Sequence, residues 1–299
     1  MSASDTAGLK VTLYKRCLRD MDDNGIAASG SNAIICPLCW KEARLDELTI
    51  EHVIPGSVGG TLKTLTCKKC NNDQGSRIDS HLSNYMRTQD RFSGNKPMKA
   101  KMTVAGYPTS VDIDWLKGRK DIRIIGQATN PKNSLAIQRL FSEGKNPPLE
   151  FTIPYGFSDD GIRLAILRCA YLSVLSTSGY SLLINPAMGK IRGRFHDPDL
   201  KVPCIRPLTV FVKGMKEEVG DYQHCYCNGH VDRVPFLFVL LFLRTSVTKC
   251  VGAFLPMPSD ASDTFFELMG QVEKENTSLS IVAASGNWLC FPAALSKNR

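Results

Sequence analysis

The sequence predicts an α+β chain. Apolar residues recur at helical spacing in some segments and alternate at strand spacing in others. The two kinds do not alternate strictly along the chain, as a doubly wound parallel sheet would require. A composition of 43% hydrophobic and 22% charged residues over 299 positions fits a globular protein. One stretch stands apart from the rest. Cys36-x-x-Cys39 and Cys67-x-x-Cys70 bracket a polar insert holding Glu51-His52, and Asn71-Asn72 follows at once.

Taken in order, Leu9, Leu13, Cys17 and Leu18 stand at near-helical spacing and predict an opening helix over 9–21, ended by Asp22-Asp23-Asn24-Gly25. A Gly/Ser/Asn-rich loop leads to Cys36. Residues 48–54 read as a short strand, 55–60 as turn material and 62–66 as a second strand. Ile78, Leu82, Tyr85 and Met86 form one apolar helix face, on a helix starting near Asn71 or Asn72, either of which can cap it. Residues 91–97, Arg-Phe-Ser-Gly-Asn-Lys-Pro, read as a boundary, so one domain is expected over 1–95 and another over 96–299. In the second, strands are expected at 98–104, 110–114, 121–125, 149–153, 208–213, 235–244, 247–254 and 279–283. Helices are expected there at 131–141, 160–176 and 260–276.

The formal charge of +8, from 37 basic and 29 acidic residues, permits a polyanionic partner without requiring one. Four of the eleven cysteines fall in metal-spaced pairs, and the opening MSASDTAGLKVTLYKRC holds no apolar core of a signal peptide. A reducing, cytoplasmic setting is therefore expected rather than a disulfide framework. The most apolar run, VPFLFVLLFL at 234–243, is about half the length that spans a bilayer, and reads as a buried strand. No membrane segment is expected.

Cys36, Cys39, Cys67 and Cys70 supply four thiolates, a complete tetrahedral set for a structural zinc. Between them runs strand, Gly-rich loop, strand, helix. This stretch resembles the HNH endonucleases, the ββα-metal nuclease family. The likeness is to the subgroup with Cys-x-x-Cys, Glu-His-x-Ile-Pro, Gly-Gly, Cys-x-x-Cys-Asn, Gly and Asp. Here these stand as Cys36 and Cys39, Glu51 to Pro55, Gly59-Gly60, Cys67 to Asn71, Gly75 and Asp79. The resemblance implies a zinc-clipped ββα-metal domain that hydrolyses phosphodiester bonds, with double-stranded DNA as the partner. It further implies that Glu51 and Asn71 hold a catalytic Mg²⁺ or Mn²⁺ and that His52 is the general base.

The residue chemistry agrees. A neutral imidazole can take a proton from water near neutral pH, and a hard divalent ion prefers carboxylate and amide oxygens. Neighbours on a strand point to opposite faces, so Glu51 and His52 share one site only if the strand end is twisted or bulged. Many family members carry an asparagine that orients the base. Here the stretch is Leu62-Lys63-Thr64-Leu65-Thr66, which leaves Thr64, Thr66 or a backbone carbonyl for that task. Asn72 competes with Asn71 as ligand. Lys68, Lys69 and Arg77 either touch substrate phosphates or form a solvated basic face, and His81 reads as packing or rim. In His224 to His230, Cys-x-Cys closes poorly on one ion, so no second metal is expected there. Residues 96–299 are expected to position substrate or regulate. The rival reading is a catalytically inactive zinc-containing protein that binds nucleic acid.

Overall fold

The computed structural model describes residues 3–26, 28, 32–116, 121–127, 130–200, 204–212, 222–231, 233–258, 262–275 and 289–292. In chain order its elements are α1 (Ala3–Asp23), β1 (Ala33–Ile35), β2 (Glu42–Arg44), β3 (Leu48–His52), β4 (Lys63–Cys67), α2 (Lys68–Gln74) and α3 (Ser80–Phe92). There follow β5 (Met98–Val104), β6 (Tyr107–Trp115), β7 (Ile122–Gln127), α4 (Pro131–Ser142), β8 (Leu149–Thr152), α5 (Asp159–Ser178) and α6 (Pro186–His196). The last are β9 (Thr209–Val212), β10 (Tyr222–Val231), β11 (Val234–Arg244), β12 (Thr248–Pro256), α7 (Ser262–Glu275) and β13 (Leu289–Pro292). The fold is α+β, as the sequence predicts. The strand expected at 279–283 lies outside the described residues. None of the described helices is long and apolar enough to cross a membrane.

The boundary the sequence suggests near residue 95 is a division by motif. The division by contact is discontinuous in the chain. One compact unit comprises Met1–Ser83, Phe157–Arg244 and Thr248–Arg299; the other comprises Asn84–Gly156 and Thr245–Val247.

In the first unit, five antiparallel strands run in the order β13-β10-β11-β12-β9. β11 is the apolar run noted above, and all of Phe236 to Leu243 is buried. Helix α5 packs on β11 and β12 and also on β4 and the turn that follows α2. Being covered on several sides, it is apolar nearly all round, with Leu164 to Ser176 buried. Ser158 caps it by accepting the Gly161 N–H at 3.1 Å, and Asp159 and Asp160 in the first turn complement the helix dipole.

β3 and β4 form an antiparallel hairpin whose register runs from Leu48 opposite Cys67 to His52 opposite Lys63. The helix after it starts at Lys68, ahead of the expected Asn71 or Asn72. Its cap is Cys67, whose sulfur accepts the Cys70 N–H at 3.4 Å, so the second cysteine pair itself forms the first turn. A π-helical turn, Gly75–Asp79, joins α2 to α3.

The second unit is an antiparallel sheet in the order β7-β6-β5-β8. Strand β5 alternates strictly: Met98, Ala100, Met102 and Val104 are buried, while Lys99 and Lys101 face solvent. Ile137 of α4 joins Val111 and Ile113 of β6 on this core.

Candidate active site

The first cysteine pair sits in a tight knuckle. Trp40 N–H donates to the Cys36 carbonyl at 2.9 Å and Cys36 N–H to the Lys41 carbonyl at 2.8 Å. Trp40 itself takes the left-handed conformation, φ +57°. The four sulfurs of Cys36, Cys39, Cys67 and Cys70 lie within 4.8 Å of one another, and Cys39 and Cys67 are 3.9 Å apart. A tetrahedral zinc with bonds of ~2.3 Å holds its sulfurs ~3.8 Å apart, so the set fits that ion. Hydrogen bonding among the four sulfurs holds Cys39 and Cys67 low while Cys36 and Cys70 are raised, so the protons sit on one cysteine of each pair. Among the described residues this is the one cluster of histidine, cysteine and acidic groups spaced for a metal.

Residues far along the chain hold the knuckle. Tyr171 donates to the Pro37 carbonyl at 2.8 Å, His196 Nε2 to the Leu38 carbonyl at 3.0 Å, and Tyr180 to the Ile35 carbonyl. The Arg192 guanidinium lies 4.0 Å over the Trp40 ring and donates to Tyr171 at 3.2 Å. Carbonyls that the knuckle's turn leaves unpaired thus find donors from α5, α6 and the loop between them.

The hairpin keeps a regular register through His52, with no bulge, so Glu51 and His52 leave β3 on opposite faces. Glu51 points inward and is 5% exposed. Its Oε1 lies 3.5 Å from Nη2 of Arg168, a fully buried residue of α5. Arg168 Nη1 forks onto both oxygens of Asp79, at 3.1 and 2.9 Å, and its Nε donates to Gln74 Oε1 at 3.0 Å. Burial pushes Glu51 up to about 7; Arg168 opposes this and Asp79 adds to it. Oε2 of Glu51 meets no donor among the described residues.

His52 is half-buried and its ring packs over Gly56, where an added Cβ would stand 3.6 Å from Nε2. Burial, then the Lys63 charge, lowers its pKa and favours the neutral ring. Thr64 stands opposite Glu51 and Thr66 opposite Thr49, so both lie on the Glu51 face and neither can orient His52. Side-chain alternation thus removes the two threonines and leaves a backbone carbonyl, the third candidate, for that task.

Asn71 is half-buried in α2, and its Nδ2 approaches the Ile50 carbonyl at 3.5 Å. Asn72, Lys68, Lys69 and Arg77 are exposed, Arg77 donating to the His196 carbonyl at 3.3 Å. His81 Nδ1 accepts the Ser158 N–H at 3.1 Å, a packing contact. The structure therefore brings Asn71 to β3 and leaves Glu51 and His52 on its two faces.

Residues 36–86 match the HNH endonuclease family model. No curated protein and no solved structure matches the chain. The HNH domain thus spans the zinc clip, the hairpin and the helix to Met86. Its Gly59-Gly60 pair has a steric cause. Gly59 has φ +88°, and a Cβ on Gly60 would stand 1.6 Å from the Ile54 carbonyl oxygen. Gln223 of β10 clamps this loop, donating to the Gly59 carbonyl at 3.1 Å and accepting the Thr61 N–H at 2.9 Å. Gly60→Ala is expected to force the HNH loop apart and lower stability by about 1–3 kcal/mol, read from the urea midpoint. An unchanged midpoint would show that the loop has room to spare.

Proposed function

We propose that this chain is a metal-dependent HNH endonuclease that hydrolyses phosphodiester bonds in double-stranded DNA. The observation that carries the reading is the family match at 36–86, lying on a β3–β4–α2 unit whose ends meet at four convergent cysteines. In this reading Cys36, Cys39, Cys67 and Cys70 hold a zinc that does no chemistry, in a reducing, cytoplasmic setting that keeps the thiols available. His52 accepts the proton of the attacking water; its half-burial beside Lys63 supports a neutral ring. Glu51, with one oxygen lacking a donor, and Asn71 of α2 would hold Mg²⁺ or Mn²⁺, which on the His52 side requires Glu51 to turn away from Arg168. Such an ion supplies charge stabilisation to the pentavalent phosphate and the leaving oxygen. Lys68, Lys69 and Arg77, exposed on α2 and the turn after it, provide phosphate contacts that fix the strand in register. Residues 96–299 position the substrate or regulate the domain.

One observation favours a second reading. Glu51 is buried against Arg168, on the face opposite His52. A domain locked in that state would bind nucleic acid without cutting it. Supercoiled plasmid with Mg²⁺ or Mn²⁺ separates the two: nicked or linear product supports the endonuclease, whereas tight binding with no product under either metal supports the inactive binder. A parallel RNA substrate checks the preference for DNA.

A further inference from the structure

At the amino end of α5 lies a cavity of about 460 Å³ that shares only Arg77, at its rim, with the residues assigned to the HNH chemistry. Arg194 of α6 lines it and is 6% exposed. Among the described residues, its Nε and Nη1 meet no hydrogen-bond acceptor. The contrast with Arg168 is direct. Both guanidiniums are buried, but Arg168 is matched by Asp79, Glu51 and Gln74. A buried cation without a counter-charge is costly, and an anion in the cavity would offset that cost.

Other groups at the cavity point the same way. Helix α5 is 20 residues long, and its cap Ser158 and first-turn Gly161 line the wall, so its amino end meets the cavity, with Asp159 and Asp160 offsetting part of its dipole. His81 accepts at Nδ1 from Ser158, which places its ring proton on Nε2 as a donor. Arg77 and Arg206, both exposed, add charge at the rim. Asp160 and Asp199 also line the cavity and Asp159 pairs with Arg206 at 3.7 Å, so Arg194 is the guanidinium there whose donors are left for an anion. Guanidinium forks match the tetrahedral oxygens of phosphate better than a point charge does. The volume lies within the ~300–1,000 Å³ of small-molecule sites, so there is room for more than a bare oxoanion.

We propose that this cavity binds a phosphate group carried on a nucleotide, with Arg194 as its principal partner. The nucleotide is either free or the phosphorylated end of a strand. The test is calorimetry on the zinc-loaded full chain without Mg²⁺ or Mn²⁺, so a failure leaves the reading of cleavage untouched. The probes are inorganic phosphate, a 5′-mononucleotide, its nucleoside, and a short oligonucleotide with and without a 5′-phosphate. Inorganic phosphate and the mononucleotide are expected to bind and the nucleoside not. The oligonucleotide binding tighter with its 5′-phosphate than without it identifies a strand end as the source; equal binding of the two oligonucleotides beside a binding mononucleotide identifies a free nucleotide.

Arg194→Gln is expected to weaken phosphate binding by about tenfold or more. Should that variant fail to fold, two others at exposed positions replace it. Leu200→Trp fills the cavity from its 41% exposed wall residue and should abolish binding, and Arg206→Gln should weaken it. No phosphate-dependent binding by the parent, or parent-like affinity in both Leu200→Trp and Arg206→Gln, overturns the proposal.

Discussion

Zinc removal is expected to unfold the HNH domain together with the helices packed on it. A structural zinc contributes about 10–16 kcal/mol of apparent binding energy, as much as the ~5–15 kcal/mol that holds a whole domain folded. Without the ion, four sulfurs within 4.8 Å of one another lose the charge that holds them together. The knuckle carbonyls of Ile35, Pro37 and Leu38 then lose their fixed positions, and Tyr180, Tyr171 and His196 lose their acceptors. A zinc-selective chelator, or Cys70→Ser, should therefore erase the cooperative melt of the unit that contains α5 and α6. Elemental analysis should find zinc in the parent and none in the variant. An unaltered melt after complete zinc loss would mean that the cysteines are ordinary buried thiols.

The second large effect is expected at Arg168. Removing one partner of a buried ion pair costs about 3–5 kcal/mol, because the other charge stays buried and uncompensated. In Arg168→Met two carboxylates are left, Glu51 at 5% and Asp79 at 7% exposure, and the amide of Gln74 loses its donor. The urea midpoint should fall accordingly, and adding Asp79→Asn should recover part of the loss by removing one stranded charge. Arg168→Lys should rescue poorly, since an ammonium cannot reach Asp79, Gln74 and Glu51 together in a planar fork. A midpoint unchanged in Arg168→Met would contradict the idea that this arginine holds Glu51 in place.

The parts of the site that were legible in the sequence are those whose chemistry is local. Two cysteines at x-x spacing converge through one turn, Gly60 answers a steric demand from Ile54 within its own loop, and, outside the site, the alternation of β5 appears directly as Met, Ala, Met and Val on one face. What escaped depended on distant residues. Arg168, Tyr171, Tyr180, His196 and Gln223 reach the HNH domain from positions far along the chain. Arg168 did leave a signal: a lone charge within Leu-Ala-Ile-Leu-Arg-Cys-Ala-Tyr-Leu, 164–172, an otherwise apolar helix, marks a cation that needs a buried partner. β10, which holds His224 to His230, reads poorly as a strand because its stability comes from pairing with β11 along its length. α6 was hidden by Gly189 and Gly193, whose helix propensity is low; tertiary packing, Pro186 in its first turn and the Asn185 cap overcome that. The helix starts at Lys68, ahead of the asparagines, because a cysteine sulfur caps it.

In the proposed function the zinc-clipped HNH domain cuts DNA with His52 as its base. The most direct measurement compares nicking of supercoiled plasmid in Mg²⁺ by the parent and by His52→Ala, both at equal zinc content. Loss of a general base predicts nicking slower by about 10²–10⁴-fold in the variant, with its melting unchanged. Equal nicking rates for the two proteins would contradict it.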